Sequence, residues 1–220
     1  GWTYIDISGR DLGSYVTEAQ RVVNDLVDLP TGYSLSWSGQ YEYMVRAKER
    51  LAVVGPLTLA VIVLLLFVNF GRLAEVAIVM GTLPLALVGG LWLLYLLGYQ
   101  LSVAVGVGFI ALAGVAVEIG VVMLVYLNQA IRRRAISSEE DVRAAVIEGT
   151  LLRIRPVFMT VAATIGGLLP IMFSTGAGSE VMRRIAAPML GGMVSAAVLT
   201  LAVIPALFLL WQRGIAGRAG

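Results

Sequence analysis

The sequence has 220 residues, of which 59% are hydrophobic and 14% are charged, and its formal net charge is +2. Soluble domains usually contain about 45–50% apolar and about 25% charged residues, so this composition indicates a membrane protein. The small net charge gives no support for nucleic-acid binding, and the lack of cysteine and histidine excludes disulfides, thiolate metal sites and imidazole ligands.

Residues 1–50 have the pattern of part of a soluble domain. Strands are predicted at 2–7, which is rich in β-branched and aromatic residues, and at 33–37, where polar and apolar residues alternate. Between them, apolar residues recur at helical spacing over 11–29. Because so small a piece cannot bury a core alone, we predict an α+β stub that ends a larger domain and continues into a lead-in helix.

Five long apolar stretches follow residue 50. Each approaches or exceeds the roughly 18–20 residues that a helix needs to cross the hydrocarbon layer. The predicted spans are 51–70, 73–97, 101–127, 153–173 and 183–212. We therefore predict a mostly α fold, a polytopic bundle of five transmembrane helices over 51–212, with a tail at 213–220.

The basic residues predict how the spans are oriented. One side of the membrane would carry nine arginines, which are Arg72, Arg132, Arg133, Arg134, Arg143, Arg153, Arg155, Arg213 and Arg218. The short loops on the other side carry only Arg183 and Arg184, although the lead-in adds further basic residues. Because basic loops stay inside the cell, we predict a cytoplasmic C-terminus and a periplasmic N-terminal stub.

A short helix is predicted on the cytoplasmic surface at about 138–149, between the third and fourth spans. Its start is marked by Ser137 followed three residues later by Glu140, the spacing of a capping box. Carboxylates in the first turn also suit the positive end of a helix.

Glu118 is the main candidate for chemistry, because it lies deep within the third predicted span. A carboxylate at membrane depth costs several kcal/mol unless it is paired, hydrated or protonated. Gly114 and Ala111 lie one and two turns earlier on the same face, so another helix could approach closely. The pattern indicates a proton or ion pathway; the alternative is a neutral glutamate hydrogen-bonded to a neighbouring helix.

Other candidates are weaker when taken alone. Hydroxyls such as Thr160 usually bond to carbonyls of their own helix, and Arg153 suits an anchor at the membrane interface as well as it suits a proton role. Thioethers suit Cu(I) and Ag(I), and three methionines share related faces at the start of the last span, although packing is the commoner role of methionine. They are Met182, Met189 and Met193.

Four stretches together resemble the C-terminal part of the resistance–nodulation–division (RND) proton-driven efflux pumps. They are residues 36–42 (SWSGQYE), the glycine-rich run over 106–120, residues 153–160 (RIRPVFMT), and residues 178–188 (GSEVMRRIAAP) followed by Gly191 and Gly192. The heavy-metal branch, close to the Cus-type copper/silver pumps, is the best match. The chain also begins at Gly1 without an initiator methionine, so we expect it to start within a longer protein.

The resemblance implies a secondary transporter, a proton/metal antiporter of the inner membrane, rather than an enzyme. It implies that Glu118, Thr160 and Arg153 belong to the proton relay and that Met182 belongs to the metal path. It also implies that this chain needs the missing N-terminal half of the pump. The expected partners are membrane lipid, two further copies in a trimer, a periplasmic adaptor and an outer-membrane channel. No cofactor is expected, only a transported metal ion.

Three alternatives stay open. Val157 stands where Cus-type pumps often have a relay lysine, which weakens the copper/silver assignment relative to zinc, cobalt or nickel. The chain could instead be a stand-alone truncated protein that binds and modulates a full-length pump. It could also be a fragment of a multidrug RND pump, although Glu118 and the lack of an intramembrane lysine argue against that.

Overall fold

The computed structural model describes residues 1–7, 12–134, 138–176 and 178–216, and it describes their side chains up to residue 212. The secondary structure of these described residues consists of six helices. The helices are α1 (Leu12–Leu26), α2 (Gln40–Phe70), α3 (Leu73–Leu97), α4 (Val103–Arg133), α5 (Glu139–Phe173) and α6 (Ser179–Ala216). Five of them, α2 to α6, are long and apolar enough to cross a membrane. The predicted number of spans is therefore confirmed.

The described residues do not show the predicted α+β stub. Within the described ranges there is no strand, and 2–7 and 33–37 are neither helical nor paired. A strand needs a neighbour to satisfy its backbone hydrogen bonds, and the β-branched pattern of these segments supplies none. The helix predicted at 11–29 is α1, and Asp11 lies outside the described residues.

The chain divides into two compact units. The first comprises 1–62 and 100–103, and the second comprises 63–99 together with the chain from 104 onward. The second unit contains all of α3, α5 and α6 and nearly all of α4. The candidate residues of the predicted transmembrane region all lie in this second unit.

Helix α5 combines two elements that the sequence analysis separates. The predicted surface helix at 138–149 and the fourth span at 153–173 form one continuous helix of 35 residues. Pro156 lies inside it, as membrane helices permit when neighbours satisfy the freed backbone groups. Similarly, α6 begins at Ser179 rather than 183 and continues to Ala216, and Arg218 lies outside the described residues.

A capping box starts α5 one residue later than predicted. The Ser138 hydroxyl accepts a hydrogen bond from the Asp141 backbone N–H at 3.3 Å, and Asp141 Oδ2 accepts one from the Ser138 backbone N–H at 2.9 Å. The predicted pair was Ser137 and Glu140; Ser137 lies outside the described residues.

Replacing Ser138 by alanine should loosen the first turn of α5. Loss of a serine cap costs about 1 kcal/mol, which corresponds to a roughly fivefold larger equilibrium population of the locally opened turn. Hydrogen–deuterium exchange of the peptide that contains Asp141 measures this. Ser174→Ala, at the other end of α5, is the control and should leave that exchange unchanged. Equal exchange in Ser138→Ala and the parent protein would show that the box does not hold this turn.

The core of the second unit forms where α4, α5 and α6 meet. Its centre is a cluster of buried residues contributed by all three helices, namely Leu112 and Ile119 of α4, Val157 and Val161 of α5, and Met193 and Ala197 of α6. Smaller clusters join α3, α4 and α6, for example Ala86, Ala116 and Ala196. Helix α6 thus packs against the three other helices of this unit.

Glycines allow α3 and α6 to cross with their backbones in contact. A Cβ on Gly89 would overlap the Gly191 carbonyl oxygen, and a Cβ on Gly191 would overlap the Gly89 carbonyl oxygen. At the same crossing, the Ser195 hydroxyl donates a hydrogen bond to the Ala86 carbonyl oxygen at 2.7 Å. Close approach and an interhelical hydrogen bond are the usual means by which membrane helices associate.

Candidate functional site

Glu118 lies midway along α4 and is exposed. The next residue, Ile119, is buried in the core cluster, so α4 packs on its neighbours with one face and presents the carboxylate on another. Gly114 and Ala111 are exposed as well, and a Cβ on Gly114 would meet nothing within 4 Å. Within the described part of the chain, Glu118 makes no hydrogen bond or ion pair. This small-residue face around Glu118 is therefore open to another helix or to solvent.

Thr160 lies on α5 at the same level of the bundle as Glu118. Its flanking residues Val157 and Val161 pack in the cluster that contains Ile119, the neighbour of Glu118. The Thr160 side chain is exposed, and its hydroxyl donates a hydrogen bond to the Pro156 carbonyl oxygen at 3.1 Å. The structure thus brings the two helices together here without a hydrogen bond between the two candidate side chains.

Arg153 joins α5 to α4 through an aromatic ring. Its guanidinium carbon lies 4.9 Å from the centre of the Tyr126 ring, the geometry of a cation–π interaction. Its Nε is buried and has no hydrogen-bond partner among the described residues. Thr160 is about two helical turns further along α5. Arg153 therefore belongs to a different level of the bundle from Glu118 and is not its ion-pair partner.

Met182 stands apart from the other two methionines. It lies in the first turn of α6 and is 52% exposed, whereas Met193 is fully buried in the core cluster and Met189 packs against that cluster. No group of three or more Asp or Glu residues that could hold a metal ion occurs in the described ranges. Met182 is thus an exposed single thioether at the end of the bundle opposite Arg134.

A polar pair of a buried glutamate and a half-buried asparagine was not predicted from the sequence. Glu75, in the first turn of α3, is 2% exposed, and its Oε2 accepts a hydrogen bond from the Asn128 side-chain amide at 2.9 Å. The sequence contains a pattern that could have indicated this pair. Glu75 lies near the start of an otherwise uncharged span, and Asn128 comes directly after the end of the next span. Because consecutive spans run in opposite directions, the start of one span and the end of the next meet at the same side of the bundle.

Comparison with known proteins identifies a family over most of the chain. The sequence matches the AcrB/AcrD/AcrF family over residues 4–212. It is 49% identical over 217 residues to the cation efflux system protein CusA of Escherichia coli strain K12, and 39% identical over 208 residues to the cobalt-zinc-cadmium resistance protein CzcA of Cupriavidus metallidurans. These matches cover 96% and 94% of this chain but 21% and 19% of the relatives.

The fold is similar to that of a solved transporter structure. The crystal structure of a heavy metal efflux pump, crystal form II, matches with a TM-score of 0.79 and 38% sequence identity. The match covers 94% of this chain and 20% of that chain. The chain thus spans about a fifth of the length of the relatives that it matches.

Proposed function

Because the chain belongs to the AcrB/AcrD/AcrF family, we propose that it is the C-terminal part of a proton-driven efflux transporter for heavy-metal cations in the inner membrane. The observation that carries this proposal is the exposed Glu118 in the middle of a helix long and apolar enough to span a membrane. Ionisable groups at membrane depth mark ion or proton pathways by default.

Protonation of Glu118 would change which surface its face of α4 can meet. A neutral carboxyl can lie against an apolar helix, whereas a carboxylate needs water or a cation. A proton entering from one side and leaving to the other would therefore favour two helix arrangements in turn. In this proposal Thr160 and Arg153 assist the relay from α5. The cationic partner of Glu118 would lie in the other half of the pump.

The distribution of charge supports the proposed orientation. Arg72 precedes α3, and Arg134 at the end of α4 forms an ion pair of 2.8 Å with Glu148 of α5, so these arginines share one end of the bundle. Arg183 and Arg184 follow the start of α6 at the opposite end. We propose that the arginine-rich end is cytoplasmic. We also propose that the complete protein works as a trimer with a periplasmic adaptor and an outer-membrane channel.

Copper(I) and silver(I) are the proposed substrates, because an exposed thioether such as Met182 suits soft cations. A second candidate is a cation of the cobalt, zinc and cadmium group, which the printed name of CzcA associates with that relative. Val157 favours this second candidate, since it gives the cluster a buried aliphatic side chain where Cus-type pumps often carry lysine.

Metal tolerance tests the proposed function directly. The protein, expressed from its complete gene in a bacterium that lacks its own metal pumps, should raise tolerance to copper and silver and lower the cellular content of these metals. In everted membrane vesicles, a protonophore should abolish metal accumulation. Tolerance confined to zinc, cobalt and cadmium would select the second candidate, and no change with any metal would overturn the transporter function.

A further inference from the structure

The arginine-rich end of the bundle contains a buried carboxyl that the proposed function does not use. Glu75 lies among fully or nearly fully buried apolar residues of its own and neighbouring helices. Val79 follows it by one turn on α3, and the Cγ1 of Val79 lies 3.7 Å from the position a Cβ on Gly120 of α4 would take. The hydrogen-bond partner of Glu75 is Asn128, which comes directly after the fully buried Leu127 of α4.

This carboxyl is separate from Glu118. Asn128 lies ten residues beyond Glu118 on α4, which corresponds to about 15 Å along the helix axis. The two side chains also leave α4 in different directions, because Asn128 meets Glu75 on α3 whereas Glu118 is exposed and unpartnered among the described residues. The two glutamates therefore cannot act as one site.

The partner of Glu75 can serve both protonation states. A side-chain amide carries a donor and an acceptor, so Asn128 can donate to a carboxylate or, after rotating its amide, accept from a carboxylic acid. The start of α3 also stabilises the charged form, because helix N-termini favour negative charge and the N-cap residue, Arg72, makes no side-chain capping hydrogen bond. A lysine or arginine partner would hold only the carboxylate.

The charged side chains near Glu75 either interact with other groups or are exposed. The Arg72 guanidinium carbon lies 5.7 Å from the centre of the Trp211 ring of α6, and Phe208 on the preceding turn of α6 is uncharged. On α4, Arg132 is exposed one turn beyond Asn128. On α5, Glu148 is paired with Arg134, and Arg153 lies on Tyr126. Among the side chains described, Glu75 has a neutral amide and no fixed cation as its partner.

We propose that Glu75 is a second proton-binding carboxyl, which takes up and releases a proton at the arginine-rich end of the bundle with Asn128 as its hydrogen-bond partner in both states. The inference rests on the proposed proton-driven transport and adds a proton site to it. The alternative is an interhelical hydrogen bond that only holds α3 against α4.

Two substitutions at Glu75 separate these roles. A proton site and a structural hydrogen bond predict opposite orders of transport activity for the two variants. In Glu75→Gln, the side chain still accepts from Asn128 but binds no proton. In Glu75→Asp, the carboxyl is retained but withdrawn by one methylene, which weakens the hydrogen bond. The measurement is metal-dependent proton uptake in liposomes that contain the protein expressed from its complete gene. Glu148→Gln, a glutamate substitution at the same end of the bundle, is the matched control.

A proton site predicts that Glu75→Gln lowers proton uptake about a hundredfold, the lower end of what a positioned proton-transferring group typically contributes. Glu75→Asp should retain more activity than Glu75→Gln, and Glu148→Gln should match the parent protein. If Glu75→Gln transports normally and Glu75→Asp is the poorer variant, the pair is structural and the inference is wrong. Glu118→Gln, measured in parallel, separates the proposals: if it alone stops transport, the proposed function stands without a second site.

A spectroscopic measurement covers the case in which Glu75→Gln does not accumulate in the membrane. Difference infrared spectra of the parent protein between acidic and alkaline pH should contain a carboxyl C=O band from Glu75. Replacing Asn128 by alanine removes the hydrogen-bond partner and should shift that band. Spectra of the parent protein and Asn128→Ala with identical carboxyl bands would overturn the proposal.

Discussion

Replacing Glu118 by glutamine should reduce metal tolerance to that of the pump-deleted strain, while the amount of protein in the membrane stays normal. Glutamine has nearly the same shape, so the open face of α4 around Gly114 and Ala111 keeps its shape. It cannot exchange a proton, however, so the two helix arrangements would no longer alternate. Growth in graded copper and silver, with immunoblots of the membrane fraction, measures the effect.

Two further variants sharpen the Glu118 experiment. Glu180→Gln changes an exposed glutamate in the first turn of α6 and should leave tolerance unchanged. Glu118→Asp keeps a carboxyl that can titrate, so it should retain part of the tolerance that glutamine loses. Full tolerance in Glu118→Gln would show that this carboxyl is a neutral packing residue and that coupling depends on another group.

A single added methyl group at Gly191 should prevent the close crossing of α3 and α6. In Gly191→Ala, the new Cβ would overlap the Gly89 carbonyl oxygen and approach the Leu93 Cβ to 2.6 Å, and a backbone atom cannot rotate away. Overpacking of this kind costs about 1–3 kcal/mol, occasionally more. We expect a lower thermal unfolding temperature in detergent and less protein in the membrane.

Gly81→Ala is the matched control for the helix crossing, because it makes the same substitution on α3 at an open position. A Cβ there meets nothing within 4 Å, so the alanine should be neutral or should stabilise the helix by about 0.4–1 kcal/mol through the unfolded chain. Gly191→Ala should therefore lower the unfolding temperature, whereas Gly81→Ala should leave it unchanged or raise it. Equal stability of Gly191→Ala and the parent would show that α3 and α6 do not pack in this way.

The sequence predicts the helical spans well and the boundaries poorly. A long uncharged stretch has few alternatives to a spanning helix, which is why all five spans could be predicted. The break predicted between the surface helix at 138–149 and the span at 153–173 is absent, and Pro156 lies within the continuous helix, since proline is tolerated in membrane helices. The start of α5 shows a finer limit: Ser137 with Glu140 and Ser138 with Asp141 have the same spacing, so local pattern alone cannot choose between them.

The candidate site shows the same division between local and distant information. The depth of Glu118 follows from counting residues along its span, but its exposure depends on which faces of α4 the other helices cover. The pairing of Glu75 with Asn128 joins residues 53 positions apart, and no local periodicity connects them. The strands predicted at 2–7 and 33–37 failed for a related reason, because a strand is defined by its neighbour.

Helix α5 is much longer than a membrane span requires, and it contains a proline at its centre. At about 1.5 Å per residue its 35 residues measure about 52 Å, well beyond a hydrocarbon layer of about 30 Å. Its midpoint is Pro156, where the missing N–H removes one helical hydrogen bond and makes bending easiest. A bend of about 10° there would swing either half, each about 26 Å long, by about 4–5 Å at its tip. Bending at Pro156 would thus let the half that begins near Ser138 move while Val157 and Val161, on the other half, stay packed in the core cluster.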